Sequence, residues 1–169
     1  MWWELKRRWI LWGYARAIKK YGWTATYVHG RSGENFTYSL GFSLKDDQPE
    51  VIFFGFPPEA ANGVLWAAYN QFILGPARME DQAIWSTVWE GFPPVVWREV
   101  HPTQIRREYF NLAIIFREKH GLSREGLRAF QLVMPDRNGK YSWEEGFDLE
   151  YRPRQPELHL PYFGPPEED

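Results

Sequence analysis

At 169 residues, 25% of them charged and with a net charge of −2, the chain is long enough for one conventional core and too apolar to be disordered. The absence of cysteine excludes disulfides, thiolate catalysis, zinc ribbons and iron–sulfur clusters. A pI near 6.1 is not the footprint of a nucleic-acid-binding domain.

Charge is nonetheless uneven along the chain. Residues 1–23 carry Lys6, Arg7, Arg8, Arg16, Lys19 and Lys20 against Glu4 alone, whereas residues 144–169 hold eight acids against Arg152 and Arg154. At the N-terminus the charges follow the aromatics Trp2 and Trp3, and no small-residue cleavage site follows an apolar run, so no secretory signal is expected. No stretch approaches eighteen uncharged apolar residues, so no membrane span or membrane partner is expected either. The expected location is the cytoplasm.

The first predicted element is a helix over residues 3–20. Leu5, Trp9, Trp12 and Ala15 recur at helical spacing, Lys19 and Lys20 suit the C-terminal dipole, and Gly22 is a ready left-handed cap. Trp2, Trp3 and Ile10 widen its apolar surface, so the helix is expected to be covered on more than one side. Three strands follow: Thr24–His29, the alternating run Phe36–Phe42, and the near-continuous apolar run Glu50–Phe56. Gly30–Asn35 is turn chemistry, and residues 45–49 form a polar loop.

Pro57-Pro58-Glu59 opens a second helix, with Ala60, Val64, Leu65, Ala68, Phe72 and Ile73 inward and Gly75-Pro76 as its stop. Residues 84–97 read as two short strands around Gly91-Phe92-Pro93-Pro94. A third helix runs from His101 to His120, with Ile105, Tyr109, Leu112, Ile115 and Phe116 as its apolar face and Arg117, Lys119 and His120 serving the dipole. Ala129–Met134 is a buried strand, residues 135–140 a turn, and Tyr141-Ser142-Trp143 the return from it. Five prolines and the closing Glu167-Glu168-Asp169 mark residues 152–169 as a Pro-rich acidic tail to a domain of residues 1–151. Together these predict a single α+β domain, a mainly antiparallel sheet with about three helices packed on it. Without a βαβ period or a glycine-rich phosphate loop, a doubly wound nucleotide fold is not expected.

Several pieces, in order, resemble the DUF4262 family, a bacterial domain of unknown function. They are Tyr21-Gly22-Trp23, Phe36-Thr37-Tyr38-Ser39-Leu40-Gly41-Phe42, Pro49-Glu50-Val51-Ile52-Phe53-Phe54-Gly55-Phe56, Gln131-Leu132-Val133 and the run from Pro135 to Trp143. The resemblance spans roughly residues 18–147. It implies a compact cytoplasmic domain and brings no activity with it. Where the family pattern has a His before the Pro-Glu pair, this chain has Gln48.

Candidate chemistry rests on few residues. His29 ends a strand beside a glycine turn, Glu50 follows Pro49 at the head of an apolar strand where burial would raise its pKa, and Tyr38 and Gln131 lie on strands of the resembling region. Against these, Ser39 lacks a nucleophile-elbow turn and faces away from Tyr38. The four histidines form no metal-ligand pattern, and Asp136-Arg137-Asn138-Gly139 lacks the acid that would complete a calcium loop. Neither metal nor cofactor is expected. The expected function is a binding or interaction module that self-associates, as a homodimer, through Trp2, Trp9 and Trp12 of its N-terminal helix. The alternative is a small enzyme or binder of a small molecule, flavin or nucleotide, with a strand-end pocket built from His29, Tyr38, Glu50 and Gln131. A second alternative is nucleic-acid contact through residues 6–20.

Overall fold

Among the residues that the computed structural model describes, which are 2–30, 34–45, 48–86 and 93–167, six strands form one mixed sheet. They are Thr24–His29 (β1), Asn35–Leu40 (β2), Glu50–Phe54 (β3), Ile84–Trp85 (β4), Val95–Glu99 (β5) and Ala129–Val133 (β6), in the spatial order β1-β2-β3-β6-β5-β4. Only the central β3–β6 pair is parallel; the other four pairings are antiparallel. Every residue of β3 and β6 is buried, which explains their unbroken apolar pattern: both faces are covered. Arg31–Gly33, Asp46-Asp47, Gly91-Phe92 and Glu168-Asp169, which carried parts of the expected turns, loop and tail, lie outside the described residues.

One face is covered by the helix Pro58–Ala68 (α2) and a π-helical continuation, Tyr69–Leu74. Their Ala61, Val64, Leu65, Ala68 and Phe72 pack on Val51, Phe53, Trp97, Phe130 and Leu132. The opposite face is covered by the helix Arg107–Lys119 (α3), which lays Phe110, Ala113 and Ile114 on Phe36, Tyr38, Leu40 and Ile52.

The buried stripe of α3 is rotated from the one expected. Phe110, Ala113, Ile114 and Arg117 point inward, while Tyr109, Leu112 and Ile115 are only partly buried. The cause is a kink: Phe110 leaves helical geometry (φ −127°, ψ 28°), and the Leu112 amide donates to the Tyr38 hydroxyl at 3.1 Å. A side chain inserted into the main-chain ladder is a recognised origin of such a bend.

The helix Trp2–Tyr21 (α1) packs by Leu11, Tyr14 and Ile18 and contains no fully buried residue. Within the chain it is covered on that one side. Tyr141–Trp143 does not return as a strand either; those residues lie in turns. The Asp136 carboxylate explains this by gathering the Asn138, Lys140 and Asp148 amides at 2.8–2.9 Å, which curls the loop back on itself. Burial opposes the charge of Asp136, yet these amides hold its carboxyl below the usual range. After a short 3₁₀ turn at Leu149–Arg154, residues 155–167 lie along the α3 side of the sheet, with Leu158 buried among Ile105, Ala129 and their neighbours.

Replacing Tyr38 by Phe would leave the partly buried Leu112 amide without its acceptor. Urea denaturation is expected to show a loss of about 1–3 kcal/mol, with faster hydrogen exchange at Leu112; an unchanged midpoint would refute the inserted-hydroxyl account of the kink.

Candidate functional site

The β2–β3 ladder runs from Phe36↔Phe54 to Tyr38↔Ile52 and stops there. Beyond it the Val51 amide donates to the Ser39 hydroxyl rather than to a main-chain carbonyl, at 2.9 Å. The Glu50 carboxylate occupies the resulting wedge. Its Oε2 accepts from Ser39 Oγ, and its Oε1 accepts from the amides of Gly41 (3.1 Å) and Ser43 (2.9 Å) and from Ser43 Oγ (2.8 Å). Three alternate residues, Ser39, Gly41 and Ser43, therefore converge on one acid.

Gly41 is required at its place twice over. Its φ is 120°, and an added Cβ would stand 2.9 Å from the Gly22 carbonyl oxygen. Arg117 closes the cluster from α3: Nη1 donates to the Ser43 carbonyl at 2.7 Å, and Nε to the Ser123 carbonyl at 3.0 Å. The dipole role that its place in the last turn suggested is thus replaced by a buried link between α3 and the 3₁₀ turn Phe42–Leu44.

Glu50 is fully buried. Burial pushes its carboxyl above the ordinary 4.5, against the pull of four donors that favour the ionised form. Such a group, surrounded by donors already committed to it, works as a clamp on the fold. Tyr38 is likewise internal: burial drives its phenol far above the usual range, and its hydroxyl is engaged by α3. Gln131 is buried, with Nε2 donating to the Pro156 carbonyl at 2.7 Å and Oε1 accepting from the Leu158 amide at 3.0 Å.

In register, Tyr38 and Gln131 flank Ile52 across β2, β3 and β6. Three of the four candidate residues thus meet in one region of the sheet, as internal struts. His29 stands apart at the far end of the β1–β2 hairpin, opposite Asn35. It is the one of the four that is exposed. Its Nδ1–H donates to Asn35 Oδ1 at 3.0 Å, which leaves Nε2 as the basic nitrogen.

Beside His29 opens a cavity of about 560 Å³, walled by Glu34, Phe36, Phe54, Arg107 and Tyr109. A second, of about 610 Å³, lies across the hairpin between His29, Tyr27, Phe56 and Arg154. Neither wall includes Tyr38, Glu50 or Gln131. The first cavity combines an imidazole, a guanidinium, two carboxylates (Glu34 and Glu108) and three aromatic rings, a set suited to a small polar or planar molecule. Burial, reinforced by Glu108, pushes the Tyr109 phenol up, so it stands as a neutral donor. These wall residues come from β1, β2, β3 and α3 and from Glu34 just ahead of β2, so no local motif announces them. The serine–glycine–serine alternation ahead of Pro-Glu, by contrast, is a signal that reading along the chain could have found.

Among the described residues, no group of three or more His, Asp or Glu is placed to hold a metal ion, and no helix is long and apolar enough to cross a membrane.

The clamp predicts a ranked pair of variants. Glu50→Ala strands buried donors and is expected to cost about 3–5 kcal/mol, while Glu50→Gln costs about 1–2 kcal/mol. Because the native carboxyl titrates above its unfolded value near 4.5, the native state binds the proton more tightly. The wild-type advantage over Glu50→Gln is therefore largest below that value and declines as pH rises through the native pKa. Denaturation curves across that range check this; an advantage that grew with pH would contradict it.

No curated protein and no solved structure matches the chain. Residues 17–148 match the family model described as a domain of unknown function, DUF4262. The matched span contains the Glu50 clamp and the described wall residues named above except Arg154, and leaves out the first fifteen residues of α1 and everything after Asp148. Since that span covers most of the chain, the protein belongs to the DUF4262 family.

Proposed function

We propose that the protein is a binding module that self-associates through the outer face of α1. The observation that carries this reading is a seam. Trp2, Leu5, Trp9 and Trp12 recur at spacings of three, four and three, the repeat of a coiled-coil a/d stripe. All four are exposed, at 85%, 58%, 75% and 57%. The helix already buries its opposite side through Leu11, Tyr14 and Ile18, so the seam is left for a partner.

A second copy suits it best in an antiparallel pair overlapping over residues 2–12. There Trp2 meets Trp12 and Leu5 meets Trp9, while Arg16, Lys19 and Lys20 extend beyond the overlap. At about 150–250 Å² per tryptophan the contact sits at the small end of specific interfaces, which implies a dissociation constant on the order of 1–100 μM. Lys6 and Arg8 flank the seam and repel their counterparts, so rising salt should tighten the dimer. Contact with nucleic acid through residues 6–20 would show the opposite salt dependence.

Sedimentation equilibrium across protein concentration and salt tests the reading. A triple variant, Trp2→Ser, Trp9→Ser and Trp12→Ser, is expected to be monomeric with stability changed by no more than about 0.5 kcal/mol per site. A wild-type chain that stays monomeric at 200 μM, roughly twice the weakest affinity expected, would refute it.

The His29 cavity favours a second reading, a small-molecule site. Arg107 and His29 would hold an acidic group, and Tyr109 and Phe36 a ring. His29→Ala should leave stability within about 0.5 kcal/mol while abolishing chemical-shift changes at Val28, Phe36 and Tyr109 on titration with flavins or nucleotides. The absence of shifts in the wild-type protein would remove this reading and leave the first intact.

A further inference from the structure

The segment 155–167 is held in the manner of a bound peptide. At its start, the Gln155 side-chain amide pairs with both main-chain groups of Met134, accepting at 2.8 Å and donating at 3.0 Å. Gln131 reads Pro156 and Leu158 as described above, and the Leu158 carbonyl accepts the His101 amide at 2.8 Å. Further on, Gln104 Nε2 donates to the Leu160 carbonyl at 3.0 Å and the Tyr162 amide donates to Thr103 Oγ1 at 2.8 Å.

Side-chain contacts follow the same line. Leu158 is 1% exposed, Glu157 accepts from Ser142 Oγ at 2.7 Å, and the Arg106 guanidinium lies 3.6 Å over the Tyr162 ring. At the far end the Glu167 carboxylate accepts from the first amide of α3, at Arg107, and from Arg124. Only Leu158 is buried in this segment; Leu160 is half exposed and Phe163 is 92% exposed. One anchor side chain, a run of hydrogen bonds to the main chain and a charged end are the elements of peptide recognition. A single buried anchor also gives thirteen ordered residues little to offset their conformational entropy.

We propose that the groove between β6, the 3₁₀ turn Pro102–Gln104 and the N-terminus of α3 is a peptide-docking site. Its ligand class is a segment that turns at a leucine anchor and carries an aromatic four residues later and a carboxylate nine residues later. Residues 155–167 fill it as a reversibly bound internal ligand. The site is separate from the α1 seam and stands or falls independently of self-association.

The test uses the full chain and a fluorescent synthetic peptide of residues 155–167. Loosening the resident segment by Leu158→Asp in the chain should free the groove, so the labelled peptide binds that variant at least about tenfold more tightly than the wild-type chain. A peptide that itself carries Leu158→Asp should not bind. If the Leu158→Asp chain does not fold, a Tyr162→Ala, Glu167→Ala chain, altered only at the rim, takes its place. In the wild-type chain, the amides of His101, Leu158, Tyr162 and Arg107 should exchange hydrogen as one unit, at least about tenfold faster than those inside β6. Equal peptide binding to loosened and wild-type chains, no binding to either, or exchange of this segment only at the rate of β6 would each overturn the proposal.

Discussion

A carboxylate fully withdrawn from water is tolerated only where donors replace its hydration, and Glu50 has four of them. The donors bring together parts of the chain that otherwise diverge. Ser39 belongs to the end of β2, Gly41 to the bend that passes under Gly22 and Trp23, and Ser43 to the turn that leads away from the sheet. Through the Ser43 carbonyl the same cluster reaches Arg117, and so determines where the last turn of α3 sits. The start of β3, the end of β2 and the far end of α3 are thus positioned by one acid. Only then can β3 lie parallel to β6 with both of its faces covered.

With the sheet held in this way, the aromatic residues fall into two populations. Those of the body interlock: Trp23 meets Phe42, Trp66 and Tyr69, and Trp85 meets Phe72 and Trp97, with ring centroids 5.0–5.8 Å apart. Apart from Trp66, which is 40% exposed, these rings are buried on the α2 side of the sheet. Trp2, Trp9 and Trp12 of α1 show the opposite pattern, exposed along one seam and flanked by cations, and Trp3 is exposed beside them. Aromatic content, taken whole, therefore says little about function, while its division between sheet and helix says a good deal.

The first part of α1 and the segment after Asp148 both lie outside the matched family span. One is a helix that buries only one side, and the other is a segment anchored by one leucine. The family core between them is closed by the Glu50 clamp and opens to solvent beside His29. The α1 seam and the Leu158 anchor thus lie towards the chain's two ends, and the cavity beside His29 at the hairpin's end.

Much of this was legible in the order of residues. Period-two alternation in β2, unbroken apolar runs in β3 and β6 and the Pro-Glu opening of α2 each set a local hydrogen-bonding geometry, and the elements formed where those patterns lie. The α+β class, the strands β1, β2, β3 and β6 and the exposed position of His29 follow from such local rules. What the order of residues left open was every relation between distant elements. Glu50 was recognisable as an acid at the head of an apolar strand, but its partners lie seven to eleven residues earlier, and only the divergence of β2 from β3 turns them toward it. Tyr38 and Gln131 were marked as polar groups within strands, yet whether each faces a ligand or the protein's own chain depends on α3 and on residues 155–167 arriving above them. The face of α1 that stays uncovered depends on the same packing. Periodicity identifies an apolar stripe, whereas the body settles the side by offering Leu11, Tyr14 and Ile18 a complementary surface. Local sequence determined the elements because their hydrogen bonds are short-range. Tertiary structure alone decided which polar groups are struts and which are sites, because burial is a property of the assembled layers.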